Sequence, residues 1–273
     1  RLAHGTTFCA HRLLYCSRHR IRRKKAKMIR LGLIGNPISH SQSPSIHNGF
    51  IRNEKLEGSY ELYEFEELPA EGLKTFMQSN ELIGLNVTIP FKKAVIEHLD
   101  EVDKLAIELN AVNTVVRINN RLIGYNTDAY GIEQSLNSLL SREKKALIFG
   151  TGGAARAVQH VLHARGFDTQ FVSRSSKNLT YRDLSSVEYA QHKLWVNCTP
   201  VGSQGIEDNL LPLPYDVLNE EFAIFDLVYK PNPTPLMVEG RKRGAKVIGG
   251  NKMLNEQASK SWKLFRDAYY NKL

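Results

Sequence analysis

No run of about twenty apolar residues occurs anywhere in the chain, so no transmembrane helix is predicted. Cysteine is scarce: of the three, Cys9 and Cys16 lie near the start, which leaves Cys198 alone in the remainder. A disulfide framework is thereby excluded for the body of the chain, and the usage suits a reducing cytoplasm. Acidic residues are missing altogether from residues 1–27, a segment that carries nine of the 37 Lys and Arg residues. The other 28 basic residues face 28 acidic ones, so the formal charge of +9 belongs to this leader and the body is neutral. Internal repeats and low-complexity linkers are lacking too. At 273 residues and 42% hydrophobic, the chain can bury two domains' worth of core.

The basic leader ends just before Met28, where the strand-like IRLGLIG begins. Met28 reads as the natural start, and residues 1–27 as an added extension or translated upstream sequence, disordered and outside the fold. The functional alternatives are a nucleic-acid-binding arm and an Arg-rich, acid-poor transit peptide. Against them, the segment lacks aromatic interleaving and does not open with Met. Its cysteines, with His4, His11 and His19, match no standard zinc spacing, and no metal site is expected.

What the body does contain is organised around residues 146–162, ALIFGTGGAARAVQHVL: an apolar run, a glycine cluster, then a helical pattern. This reads as strand, phosphate loop and helix. Gly150, Gly152 and Gly153 allow a tight turn and a close approach to a pyrophosphate, whose charge would sit on the free N–H groups of the helix start. The third glycine of the usual dinucleotide fingerprint is absent, so the loop by itself is a weak signal. A second apolar run at 169–172 follows at βαβ spacing and ends in Ser173, Arg174, Ser175, Ser176 and Lys177. An NAD site usually carries an acidic residue there for the ribose hydroxyls; Arg with small hydroxyl residues suits a 2′-phosphate, which favours NADP. The plainer alternative is a solvated arginine after an ordinary strand.

From Met28 onward strands and helices alternate. A strand at 29–34 runs into GNPISHSQSPSIHNGF, where Ser41 and Ser43 lie on a loop at a strand's C-terminal end, with Pro44 early in the next helix. Two hydroxyls there can donate to a carboxylate, although capping and turn roles are also open to them. A strand at 60–65, a helix over 70–79 and LIGLNVTIPFKK follow; Asn86, Thr88 and Lys92 are spaced so that they could converge on one side of a cleft at the end of that third strand, although a Lys after a strand is usually a solvated charge. One helix is predicted over 94–109, then strands at NAVNTVV with Asn113 and at LIGYNTDAYG with Asp128, and a helix over 130–140. Beyond the glycine loop, a buried strand ends at Thr199, another over 224–228 precedes Tyr229, and Gly249-Gly250 opens a long terminal amphipathic helix. The alternation implies an α/β protein with two layered units sharing a cleft.

Five separated motifs, GNPISHSQSPSIHN, NVTIPFK, AVNTV with YNTD, GTGGAARA with SRS, and GGNKMLNEQ, together resemble the shikimate dehydrogenases. The resemblance covers essentially all of residues 28–273 and none of the leader. It implies an N-terminal α/β substrate domain (28–128 with 249–273) and a Rossmann-like NADP-binding domain (129–248) with a cleft between them. It further implies NADP-linked, reversible reduction of 3-dehydroshikimate to shikimate on the chorismate route. Apart from the resemblance, the cysteine usage suggests the cytoplasm, the neutral body and the missing apolar run argue against nucleic-acid and membrane partners, and the sequence is equally compatible with a monomer or a homodimer.

Carried over by position, Ser41 and Ser43 would bind the substrate carboxylate with help from Tyr229. Thr88, Asn113 and Gln257 would hold ring hydroxyls, and Asn86 would line the same pocket. Lys92 and Asp128 would form the catalytic pair, with Asp128 also touching substrate. For the cofactor, Gly150, Thr151, Gly152, Gly153 and Ala154 match the diphosphate loop. Ser173, Arg174, Ser175, Lys177 and Asn178 match the 2′-phosphate site, and Thr199, Leu227 and Gly250 the nicotinamide side. His40 and His47 receive no proton-transfer role and are taken as structural.

The chemistry fits these residue types. Hydride arrival at a carbonyl carbon leaves charge on oxygen, so a proton donor must be poised there, and Lys92 can serve. The Asp128 charge would favour its ammonium form, while burial would oppose it. The sequence departs from the family pattern at Asn110, Lys104, Ala129 and Ser203, and is looser around Ser173 to Asn178. None of these removes a catalytic side chain. Two alternatives stand beside this reading: a quinate/shikimate dehydrogenase with NAD use, and a non-catalytic paralogue that binds ligand only.

Overall fold

The structure, a computed structural model, describes residues 28–139, 143–174, 179–207 and 209–270. The leader at 1–27 and the expected 2′-phosphate residues Ser175, Lys177 and Asn178 lie outside the described residues.

The chain enters through β1 (Ile29–Gly35), followed by α1 (Ser43–Asn53), β2 (Gly58–Glu64), α2 (Leu73–Ser79) and β3 (Gly84–Val87). Short β4 (Glu101–Val102), α3 (Lys104–Leu109), β5 (Thr114–Ile118) and β6 (Arg121–Tyr125) complete a six-stranded sheet of order β2-β1-β3-β5-β6-β4. It is mixed: β1 pairs in parallel with β2 and β3, whereas β5 runs antiparallel to β3 and β6. Ile29, Leu31 and Ile34 in β1 are fully buried, as are Leu85 and neighbouring residues of β3. Strands covered on both faces read as continuous apolar runs, which is why they stand out in the sequence.

The single helix expected over 94–109 is instead a 3-10 turn at Ala94–His98, then β4, then α3. The cause is tertiary. The Asp100 carboxylate accepts from Leu122 N at 2.7 Å and Lys74 Nζ at 2.9 Å, which pulls the chain out of the helix. Asp103 then caps α3 by accepting from Leu105 N at 3.1 Å. At the other end of α3, Asn110 has φ 49°, the left-handed region. Asn tolerates that conformation better than other side chains, which accounts for its standing in a glycine's place.

A second sheet follows α4 (Asp128–Leu136). Its strands are β7 (Lys145–Phe149), β8 (Asp168–Ser173) after α5 (Gly153–Ala164), β9 (Leu179–Thr180), β10 (Leu194–Asn197) after α6 (Ser186–Gln191), and β11 (Ala223–Asp226). After α7 (Pro235–Lys242) comes β12 (Lys246–Gly249). All are parallel in the order β12-β11-β10-β7-β8-β9. Alternate residues of β7 serve two cores: Ala146 and Ile148 face α4 and α5, while Leu147 and Phe149 pack with Tyr189, Trp195 and Phe222.

The last helix, α8 (Gly250–Tyr270), leaves the second sheet directly from β12 and crosses back to the first, burying Trp262 and Phe265 against α1 and β1. It lies very close to α4 at Gly131. A β-carbon there would sit 2.6 Å from the Met253 carbonyl oxygen, so only glycine allows this approach. Among the described residues, no helix is long and apolar enough to cross a membrane.

Candidate active site

The C-terminal ends of β1, β3 and β11, the start of α4 and the first turns of α8 surround a cleft of about 430 Å³. It is lined by Ser41, Ser43, Asn86, Thr88, Lys92, Asn113, Asp128, Tyr229 and Gln257, so every side chain expected to touch substrate faces one space. Ala154, Leu227 and Gly250, expected on the cofactor side, line the same cleft. Gly250 can come this near β11 only because it has no side chain; a β-carbon would lie 2.1 Å from the Leu227 carbonyl oxygen.

At the floor, Lys92 Nζ and Asp128 Oδ2 are 2.7 Å apart, with side chains 30% and 15% exposed. Asp128 opens α4, and its own N–H donates to Asn126 Oδ1 at 3.0 Å. Its second oxygen, Oδ1, accepts from Asn113 Nδ2 at 2.8 Å. Asn113 is turned by the backbone beneath it: its Oδ1 accepts from Thr127 N at 2.7 Å, and its other amide hydrogen reaches Thr127 Oγ1 at 3.0 Å. Both amide hydrogens of Asn113 are therefore engaged within the protein. The arrangement leaves the Lys92 amine open to the cleft beside a carboxylate that Asn113 holds in place.

Below the pair lies a polar layer that sequence reading missed. The hydroxyls of Thr114, Thr127 and Ser261 form a buried ring at 2.9, 3.0 and 3.3 Å. Asn86 Nδ2 donates to Thr114 Oγ1 and to Ser261 Oγ, each at 3.1 Å, and its Oδ1 accepts from Tyr60 OH at 2.8 Å. The ring ties α8 to β5 and to the start of α4, so Gln257, one turn before Ser261, is held beside Thr127 in the cleft that Lys92 and Asp128 also line. His47 stacks on Tyr60 at 4.4 Å, and burial drives its pKa down to about 3, so it is a neutral ring in the core. His40 instead lines the cleft. So do Met253 and Leu254; their spacing from Gly250 and Gln257, i, i+3, i+4, i+7, was a helical-face signal available in the sequence.

A second cavity of about 700 Å³ adjoins the C-terminal ends of β7, β8 and β10. Gly150, Thr151, Gly152, Ser173, Arg174 and Thr199 line it, together with Tyr181, Cys198 and Leu211, and Arg174 is its one charged side chain among the described residues. Gly150 has φ 102°, and β-carbons built at Gly152 and Gly153 would meet only open space. The start of α5 carries no side-chain cap, so its first N–H groups remain available to an anion. An uncapped helix start, a glycine-rich loop and an arginine without an ion pair among the described residues fit a phosphorylated dinucleotide. At the rim, Thr199 donates through N–H and hydroxyl to Asn197 Oδ1 at 2.9 and 2.7 Å. Buried Asp226, whose pKa desolvation raises to about 6 against the hydrogen bonds it accepts, lies behind Asn197.

Residues 33–115 match the shikimate dehydrogenase substrate binding domain family. Over 253 residues the chain is 36% identical to the NADP(+) shikimate dehydrogenase of Clostridium beijerinckii, an alignment spanning 86% of this chain and 91% of that one. Among solved structures, shikimate 5-dehydrogenase from Thermus thermophilus in complex with NADP(H) and shikimate superposes with a TM-score of 0.75. It is 32% identical and covers 90% of this chain and 100% of its own. Quinate dehydrogenase from Corynebacterium glutamicum in complex with NAD gives a TM-score of 0.78 at 26% identity, covering 89% and 98%. With its fold, its cleft and its relatives in agreement, the chain belongs to the shikimate dehydrogenase family.

Proposed function

We propose that this protein catalyses the NADP-dependent, reversible reduction of 3-dehydroshikimate to shikimate. The observation that carries the reading is the Lys92–Asp128 pair, held at 2.7 Å in a cleft that also takes in Ala154, Leu227 and Gly250 from beside the dinucleotide cavity. NADP, when bound, supplies or accepts the hydride. The chain's own residues do the rest. The Lys92 ammonium delivers a proton to the carbonyl oxygen as charge develops there, and in the other direction Lys92 takes the hydroxyl proton. Asp128 fixes the Lys92 Nζ position and accepts from the same substrate hydroxyl, while Asn113 keeps the carboxylate plane from rotating.

Ser41, Ser43 and Tyr229 supply neutral donors to the substrate carboxylate, and Thr88 and Gln257 hold ring hydroxyls. The glycine loop and α5 take the diphosphate, Arg174 with its following residues the 2′-phosphate, and Thr199 the nicotinamide side. On this reading residues 28–128 with 249–273 form the substrate-binding part and 129–248 the cofactor part, the later boundary falling on the last residue of β12. The protein works in the cytoplasm as a monomer or homodimer on small molecules, without nucleic acid.

A second reading, quinate turnover with NAD, has the likeness to the quinate dehydrogenase in its favour. Arg174 in the cavity and the higher identity to NADP(+) shikimate dehydrogenases weigh against it. The test is a grid of shikimate or quinate with NADP or NAD, followed at the absorbance of the reduced cofactor. Turnover concentrated in the shikimate and NADP cell supports the proposal; turnover concentrated in the quinate and NAD cell replaces it.

A further inference from the structure

Asp226 ends β11 and is fully buried, yet among the described residues no cation pairs with it. All its partners are neutral donors. Oδ1 accepts from Asn197 Nδ2 at 2.9 Å and from Val228 N at 3.0 Å, and Oδ2 accepts from Thr234 Oγ1 at 2.5 Å. A buried carboxylate without a counter-ion is costly, and an apolar residue would spare the fold that cost. Something beyond packing therefore calls for an acceptor at this point.

The geometry shows what the acceptor does. A carboxylate can only accept, so the side chain of Asn197 must turn its NH₂ toward Asp226. That same NH₂ reaches the Val201 carbonyl at 3.2 Å, and the Asn197 oxygen is left facing Thr199. There it receives the Thr199 N–H and hydroxyl, and Val201 N in turn donates to Thr199 Oγ1 at 3.2 Å. If Asn197 flipped, NH₂ would oppose the Thr199 N–H, and the turn over residues 199–202 would lose both anchors. Asn197 thus carries the acceptor character of Asp226 to the rim of the dinucleotide cavity.

We propose that Asp226 is a positioning residue for the nicotinamide end of the cofactor, acting through Asn197 to hold the Thr199 turn in its binding-ready shape. This rests on the reading of the protein as an NADP-dependent dehydrogenase. It makes the adenosine end independent of Asp226, because Arg174 and the glycine loop share no hydrogen bond with this cluster among those described.

The test measures the dissociation constants of NADP and of adenosine 2′,5′-bisphosphate, the cofactor's nicotinamide-free fragment, by calorimetry on the full chain. Asp226→Ala is expected to raise the constant for NADP about tenfold, the effect of one lost buried hydrogen-bond partner, and to leave that for the fragment within about twofold. Asp226→Asn can still present an oxygen to Asn197 and Val228, so it is expected to stay within about threefold of wild type for both ligands. Thr234→Val removes the donor on the far side and the cap that Thr234 gives Met237 N. It is expected to lower the melting temperature without separating the two ligands, as a purely structural lesion would.

If circular dichroism shows Asp226→Ala unfolded, Asn197→Ala cuts the same link from the other end and is expected to give the same split. Equal losses for NADP and fragment, or no loss for either, overturn the proposal. Failure of the wild-type protein to bind NADP or its fragment overturns the underlying functional reading as well, and is recognised before any substitution is made.

Discussion

Gly131→Ala tests the crossing of α4 and α8 that brings Gln257 into the cleft lined by Lys92 and Asp128. The added methyl would lie 2.6 Å from the Met253 carbonyl oxygen, 3.1 Å from Gln257 Cβ and 3.2 Å from Gln257 N. These are backbone atoms and a β-carbon, none of which can swing aside. The helices must part by roughly 1 Å to restore an ordinary contact. Overpacking of this kind costs about 1–3 kcal/mol. Alanine recovers about 0.8–1.0 kcal/mol through its better helix propensity. Because the clash is with backbone, the upper part of the penalty applies and the net loss is about 1–2 kcal/mol, or about 2–8 °C in melting temperature. The same displacement draws Ser261 and Gln257 from Thr127, now at 3.0 and 3.4 Å. A misplacement near 1 Å at a reacting site costs up to about 10²-fold, so kcat/KM for shikimate is expected to fall at least about tenfold. Calorimetric melting and initial rates on purified variant check both. A melting temperature equal to or above wild type, with unchanged kcat/KM, would show that helix propensity wins and that the close crossing does not position the site.

Further outcomes follow from the same geometry. Asn113→Ala leaves Thr127 N and one Asp128 oxygen without their partner; it should cost about 1–3 kcal/mol in urea unfolding and lower kcat more than it raises the shikimate KM. His47 has a folded-state pKa of about 3, below its unfolded value of 6.5, so its contribution to stability is complete above pH 6.5 and is lost as pH falls toward 3. Relative to His47→Phe, wild type should therefore lose about 2 kcal/mol between neutral pH and pH 5, measured by paired denaturant titrations. Arg174→Ala should weaken NADP binding about tenfold in calorimetry while leaving NAD binding within about twofold, because only NADP carries the 2′-phosphate.

Much of the fold was legible because its central strands are buried on both faces. The run ALIF before the glycine loop has no polar residue to place on a solvent side, and the structure buries all four side chains. The terminal helix was legible for the opposite reason, an amphipathic period long enough to count. The break in residues 94–109 was misread because the residues compatible with a helix are redirected by Asp100, whose partners Leu122 and Lys74 are distant in sequence. Asp103 was a visible capping signal there, three residues further on.

At the site, the residues that motifs assign to substrate come to one cleft, and Gly150, Thr151, Gly152 and Arg174 to the neighbouring cavity, since strand ends and loop starts are fixed by short-range turns. The layer beneath them was not legible. Thr114, Thr127 and Ser261 are ordinary hydroxyl residues scattered over three elements, and only the docking of α8 makes them a ring. Asp226 likewise looks like one more strand-end residue until its depth and its neutral partners are seen.

On the proposed mechanism, Lys92 carries the proton for a hydride transfer between NADP and shikimate. The most direct test compares wild type with Lys92→Ala in shikimate-dependent NADP reduction, with cofactor and shikimate affinities measured on the same preparations. Lys92→Ala is expected to lower kcat about 10²–10⁴-fold, with a melting temperature and NADP affinity close to wild type. A variant that keeps more than about a tenth of the wild-type kcat would contradict that role.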